Sequence, residues 1–578
     1  MGSYIIIIGA SEQQLVSESF FWLGAFMLSS SLVLLWNQVK NKNYLVLIIA
    51  VSAFFIYSIG FLRFPYYGAD IVGEYDVAIV TQQFHRWPIE LITSEGWDSY
   101  FSCLSVTIFP AMVSSVTGLP MMMVFKILIP LLATLVVVGA FLVIRIVFDE
   151  RIAALSSIMF ILSGNSELLR ELLREDVALF FLFLSILLLY ARYRSNKLSV
   201  SNRMSSLFLA VVFLLVVPTA HYTMVYFTLL FLLTVFVAER LGERFGNIVK
   251  KLRFKSTDCS TTFKDDRNAI VAVHVLTLAA VADFAWLIFI AYPVFSFNIQ
   301  EAAGSFHALL GLGNSQYHFY VTHALVSSLG TYETIINWIE RGFTIVGFFL
   351  ALKLFNKVKV RTFTLWGGLM LLVMLIVAVV PDINIALPLD RVYLIGLVAF
   401  SSFTALTLIE ISKKLLPTLR SWTILFSVAI VVAIFFTSFM PIIYLPEAAA
   451  TKQYVLSIEG HYNLQDLEFA QWLQNYTSKT LLFSSDYEGS RICEGFAFRK
   501  CAALEFINSS DVISEVRSSV LLGQYFILPI VTDNGMWFGG SFNTVSVQPY
   551  RMNEMLDNIH ADTVYSNGRN LLIVGLSS

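Results

Sequence analysis

The sequence predicts an α-helical polytopic membrane protein of about twelve transmembrane helices over residues 1–444, followed by a small exported α/β domain over residues 445–578. Three observations predict it. Hydrophobic residues fill 57% of the 578 positions and charged residues only 13%, about half the charge of a soluble globular chain. Apolar runs of membrane length, or slightly short of it, recur as far as residue 440. Past Leu445 these runs shorten and turn residues appear.

The apolar runs fall near residues 20–36, 44–62, 121–144, 152–164, 176–191, 205–219, 222–238, 269–292, 336–352, 362–380, 392–410 and 420–440. Tyr4 to Ala10 is too short to span and has no basic flank or small-residue cleavage site, so no signal peptide is expected and the first full span does the targeting. Cys103 to Val116 reads as a re-entrant or interfacial helix. Orientation follows from the basic residues: with the N-terminus outside, the inner loops hold 23 of the 38 Lys and Arg, eight of them between Arg240 and Arg267. That orientation places the loop holding Asp70, the segment Ser163 to Glu175, the hairpin Pro218 to Tyr222, the loop Pro293 to Asn337 and the loop Pro381 to Arg391 on the non-cytoplasmic face. The C-terminal domain lies on the same face. In it, Leu464 to Asn475, Asp511 to Leu522 and Asn553 to Ile559 read as helices and Thr480 to Ser485 and Tyr525 to Val531 as strands, closed by a hairpin turning at Asn567 and Gly568. Cys493 and Cys501, eight apart there, are expected to pair as a disulfide in an oxidising compartment, and Asn475 and Asn508 head glycosylation triplets. A net charge of −2 and the lack of a basic, aromatic-interleaved patch exclude nucleic acid as an expected partner.

The stretch Arg63 to Glu95 organises the candidate chemistry. It sets Asp70, Glu74 and Asp76 just beyond the span 44–62, and then Val77, Val80, Phe84, Trp87 and Leu91 recur every three or four residues, the pattern of a helix lying in the membrane interface. Carboxylates at a bilayer rim can do acid/base or metal chemistry on a lipid headgroup, or can simply be a solvated acidic loop. A second polar cluster, GNSELLRELLREDVALF, spaces Glu167, Glu171 and Glu175 four apart, and Arg170 and Arg174 likewise. These read either as ion-paired helical stripes, with Glu175 and Asp176 favouring the N-terminus of the next span, or as acids facing Asp70 across an outer cavity. His221, between two spans with almost no loop, is either a ligand or phosphate donor or a hydrogen-bonded structural histidine. Arg391, opening a late span, has the planar donor fork that fits a phosphate, or it anchors a headgroup. Lys126, near the outer end of the span 121–144, is a second candidate cation.

The ordered set of an outer acidic motif (GADIVGEYDVA), WDSYFSCLSVTIFPA, FKILIPLL, a second acidic motif (REDVA) and a late outer arginine resembles the GT-C glycosyltransferases over roughly residues 44–400. That class includes oligosaccharyltransferase catalytic subunits, protein O-mannosyltransferases and aminoarabinose transferases, and the chain is most similar to archaeal multi-pass members. The resemblance implies transfer of a sugar from a polyprenyl (dolichyl) phosphate carrier to a glycan, lipid or protein acceptor on the non-cytoplasmic face of the cell membrane. It implies Asp70 as general base or acceptor-orienting group, Glu74 as its motif neighbour, Glu175 or Asp176 as the second acid and Arg391 on the carrier phosphate. It also implies a divalent cation, Mg or Mn, at Asp70 and Asp176. Two departures stand out. Three residues separate the acids at 70 and 74, and the exported domain holds no WWDYG-like motif, which argues against oligosaccharyltransferase activity in particular.

Two other readings use the same residues. A GT-C-like body without activity, binding envelope partners through its exported domain, would also carry this pattern. A secondary transporter would use ionisable groups within spans, for which the chain offers mainly Asp283, with His274 nearer the inner end.

Overall fold

The structure, a computed structural model, describes residues 42–63, 66–67, 70–93, 96–163, 169, 172–194, 200–240, 273–309, 331–354, 357–379 and 389–415, with short pieces between 461 and 575. Its helices are α1 (Lys42–Arg63), α2 (Ile71–Phe84), α3 (Ile108–Thr117), α4 (Met121–Val147), α5 (Glu150–Leu162), α6 (Leu173–Arg194) and α7 (Val200–Ala220). They continue as α8 (Met224–Arg240), α9 (Val273–Phe289), α10 (Tyr292–Leu309), α11 (Thr331–Lys353), α12 (Val358–Val379) and α13 (Leu389–Leu415). The expected runs at 20–36 and 420–440, the basic loop around 241–272, Cys493 and Asn508 lie outside the described residues.

Among the described residues three helices are long and apolar enough to cross a membrane: Met121–Val147, Val358–Val377 and Arg391–Ile411. Shorter apolar helices accompany them, including Met204–Ala220 and Val273–Phe289. Leu372, Leu375 and Ile376 on α12 and Val281, Phe284 and Ile288 on α9 stand exposed, an arrangement that water disfavours and lipid covers. The core forms where α6 packs on α4 and α7, and α13 on α5, α11 and α12. Phe125, Phe141, Phe160, Phe183, Tyr57 and Trp366 are its largest fully buried apolar side chains. Helix ends follow local chemistry. Asp149 accepts the Ile152 amide at 2.9 Å and so caps α5, whereas α2 stops where His85 turns left-handed at φ 53°.

Two expectations need correction. Tyr292–Leu309 is a helix, not part of a long loop over Pro293 to Asn337: Pro293 sits in its first turn, where its missing N–H costs nothing, and its polar residues hid it from hydropathy. The surface helix expected from Val77 onward is displaced. Helix α2 begins at Ile71 and buries Ile71, Val72, Glu74, Val77, Ala78 and Thr81 against protein, leaving Phe84 exposed. Trp87, beyond its end, donates Nε1–H to the Phe101 carbonyl at 2.7 Å and stacks on Trp286.

Two strands pin the candidate site to the C-terminal part. β1 (Tyr66–Tyr67) pairs antiparallel with β2 (His461–Tyr462), so the chain just before Asp70 is hydrogen-bonded to a segment nearly 400 residues later. β3 (Leu482–Ser485), β4 (Lys500–Ala503), β5 (Tyr525–Pro529), β8 (Ala561–Ser566) and β9 (Asn570–Gly575) form a mixed sheet in the order β4-β3-β5-β9-β8. β3 runs parallel to β4 and β5, and β9 antiparallel to β5 and β8. A separate hairpin joins β6 (Met536–Phe538) to β7 (Val545–Val547).

Candidate functional site

The acids foreseen in two separate loops meet at the N-termini of α2 and α6. Asp70 immediately precedes α2, and its carbonyl accepts the Glu74 amide at 3.1 Å, which sets Glu74 one turn further along. Glu74 reaches across to α6. Its Oε2 accepts the Leu173 amide at 2.9 Å and its Oε1 the Arg174 Nη1 at 2.7 Å. A carboxylate is thereby placed on the otherwise unsatisfied amides that open a helix, where the helix dipole also favours it.

Arg174 joins the two acids. While Nη1 donates to Glu74, Nη2 donates to Asp70 Oδ2 at 2.8 Å, and the guanidinium lies 4.0 Å over the Tyr100 ring. The arginine is fully buried. Sequence periodicity paired it with neighbouring acids on its own helix; its described partners instead lie about a hundred residues earlier. Arg391, at the start of α13, donates from Nη2 to the same Asp70 oxygen at 2.7 Å and brings Nε within 3.2 Å of Glu175 Oε1. Residues 321 apart thus share one hydrogen bond.

His221 closes the other side. The hairpin carrying it is held because the Leu104 amide donates to the Thr219 carbonyl at 2.7 Å and the Ser105 hydroxyl to the Ala220 carbonyl at 2.7 Å. The His221 Nδ1 accepts the Thr223 amide at 3.2 Å, which leaves the proton on Nε2, facing Glu175 Oε1 at 3.4 Å. The two side chains lie in close contact there without forming a hydrogen bond. Burial pushes the imidazole down to about 4. His221 is therefore expected to stay neutral, and its ring resonances should not titrate between about pH 5 and 8, the range of an ordinary histidine. A midpoint inside that window, measured by NMR on labelled protein, would contradict this environment.

Asp176 is buried, and neither of its oxygens has a hydrogen-bond partner among the described residues. Burial pushes the Glu74 carboxyl up, with the Arg174 guanidinium and the Leu173 amide opposing. Exposure separates the residues that can touch a substrate from those that cannot. Asp70 and Arg391 keep 24% of their side-chain surface open, whereas Glu175 keeps 5% and Glu74 and Arg174 none. Among the described residues no hydrogen bond or ion pair links Lys126 to this cluster, and Cys501 belongs to β4. Among the described residues Asp283, buried on α9, has no hydrogen-bond partner on either oxygen and no ion pair or hydrogen bond with the cluster.

A divalent cation at Asp70 and Asp176 does not fit this arrangement. The Asp70 oxygen that would ligate it already accepts from two guanidinium groups, whose charge repels a cation. Among the described residues no group of three or more His, Cys, Asp and Glu is set to hold a metal ion.

Sequence reasoning missed Arg174 and Tyr100 as site members. A usable signal was counterion need: four acids converging at one buried place require cations, and REDVA puts an arginine directly before two of them.

No family model matches the chain, and no curated protein matches it in sequence. Among solved structures, the oligosaccharyltransferase of Archaeoglobus fulgidus tethered with an acceptor peptide containing the NVT sequon aligns at a TM-score of 0.51 and 13% identity, over 84% of this chain and 69% of that one. ArnT from Cupriavidus metallidurans bound to undecaprenyl phosphate aligns at 0.50 and 9% identity, over 92% of this chain and 98% of that one. At these identities the likeness concerns fold. This chain has the fold of the GT-C membrane glycosyltransferases.

Proposed function

We propose that the protein is a membrane glycosyltransferase that moves a sugar from a polyprenyl phosphate carrier to an acceptor hydroxyl or amide at the non-cytoplasmic rim of the bilayer. The observation that carries this reading is the shared hydrogen bond between Asp70 and Arg391, the only two members of the cluster with substantial open surface, one acidic and one cationic. In the reaction the bond from the sugar anomeric carbon to the phosphate oxygen breaks and a bond to the acceptor forms. Its electron pair stays on the carrier phosphate, which Arg391 meets with its planar donors, and the acceptor proton passes to Asp70. Glu175 holds Arg391 in place, with the neutral His221 beside Glu175, and Glu74 holds Arg174. The fold shared with ArnT, whose structure holds undecaprenyl phosphate, supports the choice of carrier.

About twelve spans, an outside N-terminus and an exported C-terminal α/β domain over residues 445–578 belong to the same proposal; the inner-loop excess of basic residues and the mixed sheet support them. Lys126 is placed as a second cation along the carrier path. A non-catalytic assembly role would need no open acid and cation side by side, and this pair disfavours it.

The test is binding of undecaprenyl phosphate to purified protein. Arg391→Ala is expected to weaken it by about 10-fold to 100-fold, the loss of a charge-assisted pair, while Asp283→Asn should leave it unchanged. Equal affinity in wild type and Arg391→Ala would remove the phosphate from this site and with it the proposed reaction.

A further inference from the structure

We infer that the Arg174 guanidinium occupies the position of a divalent cation, so that the site assembles its acids and works without a metal. The inference rests on the glycosyltransferase reading for its meaning but on geometry for its evidence. A metal bridging the two first-loop acids would take an oxygen from each and set a positive charge between them, inside the fold. Arg174 meets each requirement: Nη2 on Asp70 at 2.8 Å, Nη1 on Glu74 at 2.7 Å, and complete burial beneath the Tyr100 ring. The backbone amide of the same residue approaches Glu74 Oε1 at 3.5 Å, so the motif acid is held by both the main chain and the side chain of α6.

The two arginines then divide the work a cation would do. Arg174 is fully buried and fixes Asp70 as an oriented carboxylate; Arg391 keeps part of its surface open and, in this reading, exchanges its Asp70 contact for a phosphate oxygen. Arg174 is accordingly a positioning residue, acting on the substrate only through Asp70. The three-residue spacing of the acids fits this role, because positions 70 and 74 lie one helical turn apart and present both carboxylates to one guanidinium fork.

The experiment uses Mn2+ as probe, with electron paramagnetic resonance on the full-length protein in detergent. Wild type is expected to bind no stoichiometric Mn2+, and its affinity for undecaprenyl phosphate should be unchanged by EDTA. Arg174→Ala removes a unit positive charge within a few ångströms of two carboxylates and should raise Mn2+ affinity by about tenfold or more. Arg174→Lys, which keeps the charge, should leave Mn2+ unbound. Stoichiometric Mn2+ on wild type that Asp70→Asn abolishes would overturn the inference, and this titration decides even if Arg174→Ala does not fold. A folded Arg174→Ala with wild-type Mn2+ affinity would overturn it equally. Loss of carrier binding in every form of the protein, with the Mn2+ pattern intact, would instead sink the function and leave the metal-free site standing.

Discussion

Asp70→Asn is expected to lower sugar transfer by about 100-fold or more, the scale of removing a positioned general base, without loss of folded protein. Asparagine keeps the size of the side chain but carries no charge, so both guanidinium groups lose the carboxylate that balances them. It cannot accept the acceptor proton, although its amide oxygen, set where Asp70 Oδ2 lies, can still accept from both Arg174 and Arg391. The side chain is partly open, so the substitution leaves no fully buried charge without a partner at its own position. Transfer is measured in reconstituted vesicles with a polyprenyl-phosphate-linked sugar, and the amount of monodisperse protein serves as the folding control. Asp283→Asn is the contrasting variant. Its carboxylate lies buried on α9 with neither oxygen hydrogen-bonded, so a neutral amide there should leave transfer unchanged. A transporter would show the reverse ranking, and wild-type transfer in Asp70→Asn would end the assignment of that residue as base.

What the sequence made legible was several of the described helices and the acids and arginine that the structure brings together, because both are local properties. Apolar length marked α1, α4, α6 and α13 to within a few residues, and hydropathy needs no tertiary contact to be read. Polar content inside α10 and a register misread by about one turn in α2 were the exceptions. In α2 burial is against protein and not lipid, so that apolar periodicity no longer names the buried face: Glu74 sits on the buried side of α2 and Phe84 is exposed. Arg174 shows the same limit at the site. Its spacing from Arg170 and Glu171 is that of a solvated, ion-paired helix, and nothing local distinguishes that from a buried bridge to Asp70 and Glu74. The shared Asp70 oxygen between Arg174 and Arg391 depends on three chain segments at once, information that a single sequence does not carry.

Gly347→Ala is expected to cost about 3 kcal/mol or more, as forced overpacking of a tight interface does. A Cβ at Gly347 would lie 1.8 Å from the Phe403 carbonyl oxygen, 2.3 Å from its carbon and 2.7 Å from its Cα. All three atoms are backbone, so no rotamer change can relieve the clash and α11 must move from α13. That movement would strain the polar contacts across the same seam. Thr344 and Thr404 share a hydroxyl hydrogen bond at 3.0 Å, the Thr407 hydroxyl donates to the Phe343 carbonyl at 2.7 Å, and the Tyr393 hydroxyl donates to Glu340 at 3.4 Å. Buried polar partners separated in this way are costly, because no water takes their place. Gly342 on the same helix is the control: a Cβ there meets nothing within 4 Å, so Gly342→Ala should hold or raise the melting temperature through helix propensity, by about 1 kcal/mol at most. Melting in detergent distinguishes them, and equal curves for the two variants would show that the helices do not approach this closely. Because α13 begins beside Arg391, the same displacement should loosen its contact with Asp70 and lower transfer in whatever Gly347→Ala protein remains folded. The site therefore depends on a glycine several turns away from it, through the rigid helix that carries its exposed cation.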